Sequence, residues 1–172
     1  MARRVYFSFH YGADVWRACQ VRNSWVTKPD RSSAGFHDGA EFEAAEKQGD
    51  EAIERWIKRN LEGTSVTAVL VGEYTCSRKW VRYEIQESIK RGNGIIFVDI
   101  HDLEDQHGRT CQEGESNYGD IDISKYPVYD YVEEDGYNNL GDWVEASASA
   151  AGREKLGPPP YRHVGRTGCG RN

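Results

Sequence analysis

The chain has 172 residues and a formal net charge of −6 at pH 7, with a pI near 5.4. That length suits one domain able to bury a proper core. The acidic balance excludes a binder of nucleic-acid backbone, which needs a basic face, and it disfavours anionic membrane surfaces.

Met1–Arg4 is followed by an apolar run of only Val5, Tyr6 and Phe7, so the start of the chain reads as a strand (about 4–9) and not as a signal peptide. A helix is expected over about 14–26, with Val15, Ala18, Cys19, Trp25 and Val26 on one face and Pro29 beyond its end. Arg22 falls near the middle of that apolar face, where a charge must be paired; a structural ion pair is the expected arrangement. A short second strand is placed at about 34–38. Asp50 then caps a helix to about Leu61, with Ile53, Trp56, Ile57 and Leu61 at helical spacing. A strand at about 65–71 leads into a helix that ends near Arg91, where Gly92, Asn93 and Gly94 terminate it. Ile95–Ile100 is a continuous apolar run, as expected of a central parallel strand. Residues 102–124 are polar and aperiodic and read as a long loop, which is unusual inside a compact domain and often functional. A last strand at about 126–132 and a helix at about 139–155 complete the pattern, with Leu140, Trp143 and Val144 inward. The alternation is that of an α/β fold with a central, mostly parallel five-stranded sheet between helical layers. The domain is expected to span 1–156, with 157–172 a Pro/Gly/Arg-rich tail. No apolar run approaches a membrane span. Cys19, Cys76, Cys111 and Cys169 show no CxxC or metal-ligand spacing, so free thiols in a reducing cytoplasm are the simplest reading.

The segment Cys76–Ile85 stands out. It follows the run Val66–Val71 and Gly72, so a buried strand empties into a helix start, and Glu84 rides the first turns of that helix. Ligands of open α/β sheets bind at the carboxyl ends of strands. On a helical wheel Val81, Ile85, Ser88 and Ile89 form the apolar stripe, with Glu84 and Trp80 four residues apart along one edge. This places Glu84 at the border of the buried stripe, neither fully solvated nor fully hidden.

Three segments occur in order: Arg4–Tyr11, Gly35–Asp38 and Trp80–Ile85, the last reading Trp-Val-x-x-Glu-Ile. Together they resemble the TIR domain family. More closely, Asn23–Asp30 and Thr64–Thr67 resemble the TIR-like proteins of bacterial Thoeris anti-phage defence. The resemblance covers roughly residues 3–100. It implies a flavodoxin-like/TIR three-layer fold and an enzyme that consumes NAD as a substrate, with no resident cofactor and no metal. Glu84 would be the catalytic carboxylate beside the ribose, stabilising the positive charge that develops there. Phe9, His10, Tyr11, Asp38 and Trp80 would bind substrate, Trp80 offering a flat apolar face; core packing is the competing reading for Phe9 and Trp80. Many TIR enzymes carry a basic residue where this chain has His10, which is only partly charged at neutral pH. The implied product is a cyclic ADP-ribose-type signal, diffusing to a downstream effector in the bacterial cytoplasm. A phage-derived trigger and homo-oligomers fit the same picture; nucleic acid and membrane do not. The absence of a G-x-G-x-x-G fingerprint also points away from NAD as a hydride carrier. Two rivals stay open: a non-catalytic TIR self-association module, and a nucleoside deoxyribosyltransferase-like enzyme.

Overall fold

The computed structural model describes residues 3–34 and 39–153. Asp38 and the 157–172 tail lie outside the described residues. Five strands, β1 (Arg3–Ser8), β2 (Arg31–Ala34), β3 (Val66–Val71), β4 (Gly94–Asp99) and β5 (Val128–Asp130), form one sheet in the order β2-β1-β3-β4-β5. Every pairing is parallel. Five α-helices accompany them among the described residues: α1 (Tyr11–Val26), α2 (Gly39–Lys47), α3 (Asp50–Leu61), α4 (Lys79–Lys90) and α5 (Gly136–Ala150). This is the three-layer α/β fold expected from the alternation of apolar runs and amphipathic stretches.

Alternation along the strands sorts the core into two layers. Val5 and Phe7, with Val66, Ala68, Leu70, Ile96, Val98 and Ile100, pack against Ala18, Val21 and Trp25 of α1 and Leu140, Trp143 and Val144 of α5. On the opposite face, Tyr6 packs with Ile53, Trp56, Ile57 and Leu61 of α3. Val69, Val71, Ile95 and Phe97 meet Val81 and Ile85 of α4. Because β1 pairs with β2 on one side and β3 on the other, the chain reverses its direction of travel across the sheet between β1 and β3. The crevice outside the carboxyl ends of those two strands is therefore the topological switch point, where open α/β sheets bind ligands.

The crossover from β4 to β5 carries no α-helix. Tyr118 and Ile121, with Ile123 and Tyr126 beside them, cover Phe97 and the adjacent sheet instead, and Tyr118 meets the Phe97 ring edge-on at 5.2 Å. Ties hold this segment at both ends. Arg17 of α1 donates Nε to the Leu103 carbonyl at 2.7 Å and Nη2 to that of Arg109 at 2.8 Å. Arg82 of α4 donates to the carbonyls of Cys76 and Asn117.

Several boundaries differ from expectation. The second strand lies at Arg31–Ala34, earlier than 34–38, and α2 was not anticipated. Helix α1 begins three residues early, at Tyr11, and α5 runs from Gly136 to Ala150. Asp50 is the first residue of α3 and not its cap: Gly49 holds that position, at φ 94°. Ile89 is 40% exposed and outside the core stripe of α4. Arg22 is half-buried and donates Nε to Ser33 Oγ at 3.2 Å. Cys76 and Cys111 are free thiols, whereas Cys19, buried in α1, is disulfide-bonded, contrary to its reading as a free thiol. No helix among the described residues is long and apolar enough to cross a membrane.

Candidate active site

Glu84 lies on the inner face of α4, over β1. It is 3% exposed, so it sits inside the core boundary and not astride it. The reason is polar compensation from β1, whose even-numbered residues point at α4. Tyr6 Oη donates to Glu84 Oε1 at 2.7 Å, and Ser8 Oγ donates to Oε2 at 2.5 Å. A buried carboxylate without such partners would be strongly unfavourable. Burial pushes the Glu84 carboxyl up to about 7, against the opposing pull of the Ser8 and Tyr6 hydrogen bonds. The group thus divides between acid and carboxylate near neutrality, the range in which a side chain can both steady positive charge and take up a proton. Burial and the neighbouring Glu84 raise the Tyr6 phenol well above its ordinary value, which keeps it a donor.

Trp80 precedes Glu84 by one helical turn on α4. It is half-buried, packed at the margin of the Tyr6–Trp56 cluster. Its ring meets Tyr83 edge-on at 5.9 Å, and Lys79 Nζ stands 4.6 Å from its centroid. Lys79 is itself paired with Asp50.

The residues after β1 take different positions. Phe9 is buried with Phe7 in the layer facing α1 and α5, on the other side of the sheet from Glu84. Core packing, the competing reading, describes its place. His10 precedes α1 at the carboxyl edge; its Nδ1 is buried with no hydrogen-bond partner among the described residues. Burial, and secondarily Arg78, hold its pKa below the ordinary value, so it is mainly neutral at pH 7. The positive charge near this corner belongs to Arg78, at the start of α4. Tyr11 is 38% exposed at the first position of α1, its ring centroid 6.3 Å from that of Phe9. Of the expected residues, then, Glu84 and Trp80 share one helix face, His10 and Tyr11 stand at the carboxyl edge, and Phe9 is turned away.

Sequence reasoning missed Tyr6 and Ser8. The available signal was two hydroxyl side chains two residues apart, on one face of an otherwise apolar strand. It also missed Asp14, which is 1% exposed. Asp14 Oδ1 pairs with Arg17 at 3.2 Å, while Oδ2 has no partner among the described residues. Burial raises its pKa against the opposing effect of Arg17. A Cβ on Gly72 would fall 2.3 Å from Asp14 Oδ2, so this carboxylate closes directly onto the exit of β3.

Among the described residues, Asp99, His101 and Asp130 bring donor atoms of metal-ligand type within 4.8 Å of one another. Their geometry has a local explanation. Asp99 Oδ1 accepts from the His101 backbone and bonds its Nδ1 at 2.6 Å, and Asp130 Oδ1 accepts from the backbone of Val132 and Glu133.

A parallel α/β domain in which the helix after the third strand carries a buried acid beside the switch point has the fold of the TIR-like class, with that acid as its candidate site. The family model described as Thoeris protein ThsB, TIR-like domain, matches residues 6–105. The chain is also 36% identical over 191 residues to a Bacillus cereus (strain MSX-D12) protein whose printed name is "Putative cyclic ADP-D-ribose synthase ThsB1", across 84% of this chain and all of that relative. The chain belongs to the ThsB TIR-like family of Thoeris proteins.

Proposed function

We propose that this protein consumes NAD, breaking the bond between nicotinamide and ribose and making a cyclic ADP-ribose-type signal that activates an anti-phage effector. The observation that carries the reading is Glu84: a buried, hydroxyl-held carboxylate with a pKa near 7, beside the crevice between β1 and β3. The name of the Bacillus cereus relative supports the same product class.

The chemistry follows from charge. The electron pair of the glycosidic bond leaves with the nicotinamide nitrogen, which thereby becomes neutral and needs no acid. Positive charge develops on the ribose, and an adjacent carboxylate stabilises it. A nucleophile within the same molecule then bonds to the ribose carbon and gives the cyclic product; water in its place gives linear ADP-ribose. Where the nucleophile carries a proton, Glu84 is the local base that can accept it. Trp80 supplies an apolar ring face for an aromatic base, and the neutral His10 leaves Arg78 as the cation for phosphate at this corner. Cyclisation also requires a folded substrate pose and exclusion of water, and the 102–124 segment, tied down by Arg17 and Arg82, is the cover that would provide it. A phage-derived trigger and self-association complete the reading.

The test is mass spectrometry of nucleotides from infected cells carrying the wild-type chain or Glu84→Gln. Wild type should deplete NAD and accumulate a cyclic isomer. Neutralising Glu84 should lower turnover by a factor on the order of 10²–10³. Wild-type turnover by a folded Glu84→Gln protein would end the assignment.

A further inference from the structure

Both oxygens of Glu84 are occupied by the protein, which leaves open how the carboxylate meets a substrate. The two hydroxyls that hold it are not equivalent. Tyr6 lies opposite Thr67 in the β1–β3 register, deep in the sheet, while Ser8 lies opposite Val69 and is the last residue of the strand. A ligand arriving at the carboxyl edge of the sheet therefore reaches the Ser8–Oε2 bond before the Tyr6–Oε1 bond. Tyr6 is wedged among Ile53, Trp56, Ile57 and Leu61 with no exposed surface, so its hydroxyl has a fixed position. A serine hydroxyl, by contrast, turns about one bond and both donates and accepts.

We propose that Tyr6 and Ser8 divide the holding of Glu84 between them: Tyr6 is a positioning residue whose bond to Oε1 persists through the reaction, and Ser8 releases Oε2 to a ribose hydroxyl of the substrate. This rests on the reading of NAD as substrate. The exchange balances bond for bond. Oε2 loses the Ser8 hydrogen and accepts the ribose hydrogen in its place, and the freed Ser8 hydroxyl can accept or donate toward the same sugar. The carboxylate never stands unpaired, which matters because an unsatisfied buried charge is costly. Among the described residues no charged side chain is bonded to Glu84. Lys58 of α3 is directed to the Tyr83 ring, and Glu87 of α4 is paired with Lys90. Among the described residues Tyr6 is the one titratable group bonded to the carboxylate, and it stays neutral.

The two roles have different signatures. Tyr6→Phe keeps the ring and its packing but removes the Oε1 donor. The expected result is a loss of kcat on the order of tenfold or more with KM little changed, since misplacing a reacting group costs rate. The acid limb of the pH–rate profile should move up by about one pH unit, the size of losing a hydrogen bond to an ionised group. Ser8→Ala should lower kcat distinctly less than Tyr6→Phe does and act mainly on KM, because the Ser8 bond is exchanged with substrate while the Tyr6 bond persists. Titration of the Glu84 carboxyl by carbon-13 NMR in the unliganded proteins should show the upward shift in Tyr6→Phe without any need for turnover, and melting curves establish that both variants fold. An unmoved Glu84 midpoint in Tyr6→Phe, or a Ser8→Ala enzyme as impaired in kcat as Tyr6→Phe, overturns the proposal. NAD consumption at the wild-type rate by folded Glu84→Gln would instead overturn the functional reading beneath it.

Discussion

A Cβ placed on Gly114 would come within 2.4 Å of the Gly72 carbonyl oxygen and 2.8 Å of Val71, so the middle of the 102–124 segment rests directly on the chain leaving β3. That contact puts the cover over the carboxyl edge of the sheet, on the strand beside the Ser8 end of β1. If the segment excludes water from the substrate, thinning it should admit water. Shortening it between the Arg17 and Arg82 ties is expected to shift product from cyclic toward linear ADP-ribose. Gly114→Ala should shift it the same way by a smaller amount, because the backbone must lift. The check is the chromatographic cyclic-to-linear ratio of folded variants; an unchanged ratio removes the segment from control of the product and leaves Glu84 untouched.

The raised pKa of Glu84 has a sign that shows in stability. A carboxyl near 7 in the folded state and near 4.5 when unfolded binds its proton more tightly in the fold. Its contribution is fully present below the unfolded value and is lost as pH rises through about 7. Wild type should therefore be more stable at pH 5 than at pH 8, by up to roughly 3 kcal/mol from this group alone. Glu84→Gln should flatten that dependence, and be the more stable protein at pH 8. Denaturant titrations at the two pH values measure it, and an equally steep slope in Glu84→Gln would contradict the assigned burial.

Trp80 and Ile85 separate binding from folding on one helix. Ile85 has no exposed surface and packs against the sheet, so Ile85→Ala should cost about 2–5 kcal/mol. Trp80 is only half-buried. Trp80→Ala should lower the melting temperature less than Ile85→Ala while raising KM for NAD more. Equal melting shifts would make Trp80 a packing residue.

Gly72 and Asp14 should be energetically coupled. Gly72→Ala drives a methyl group against the Asp14 carboxylate and is expected to cost about 1–3 kcal/mol, as overpacking does. In an Asp14→Ala background the same change should cost markedly less, because the obstructing carboxylate is gone. Leaving Arg17 without its carboxylate affects both Asp14→Ala proteins and cancels in the double-mutant cycle. Additive effects would show that the clash is relieved elsewhere.

The sheet was legible because β3 and β4 are written as unbroken apolar runs, which only a doubly covered central strand demands. Helix α2 was not, since Gly39–Lys47 is mostly Ala and Glu, with Phe42 and Ala45 as its inward contacts, too few to show a period. β2 was misplaced because Arg31–Ala34 is a polar edge strand. Glu84 stands out in the sequence from its place after a strand exit, yet the wheel underestimates its depth. A helical wheel records one element, and what buries Glu84 is a pair of hydroxyls on another. Phe9 lies on the other face for the complementary reason: period-2 alternation puts it with Phe7, and nearness along the chain to a candidate site residue does not overcome that parity. The lowered pKa of His10 comes first from burial and then from Arg78, nearly seventy positions away, and no local pattern contains either.

The β4–β5 crossover has a bearing on how such a protein can diversify. A helix in that place would need its apolar residues at fixed intervals, so each inserted residue would rotate everything beyond it off the sheet. Here the cover is a few pegs, Tyr118, Ile121, Ile123 and Tyr126, strung on irregular chain and moored to α1 and α4. Extra residues between moorings cost only slowly growing loop-closure entropy. The ceiling above the carboxyl edge can therefore be lengthened, shortened or resurfaced while the sheet and Glu84 stay as they are.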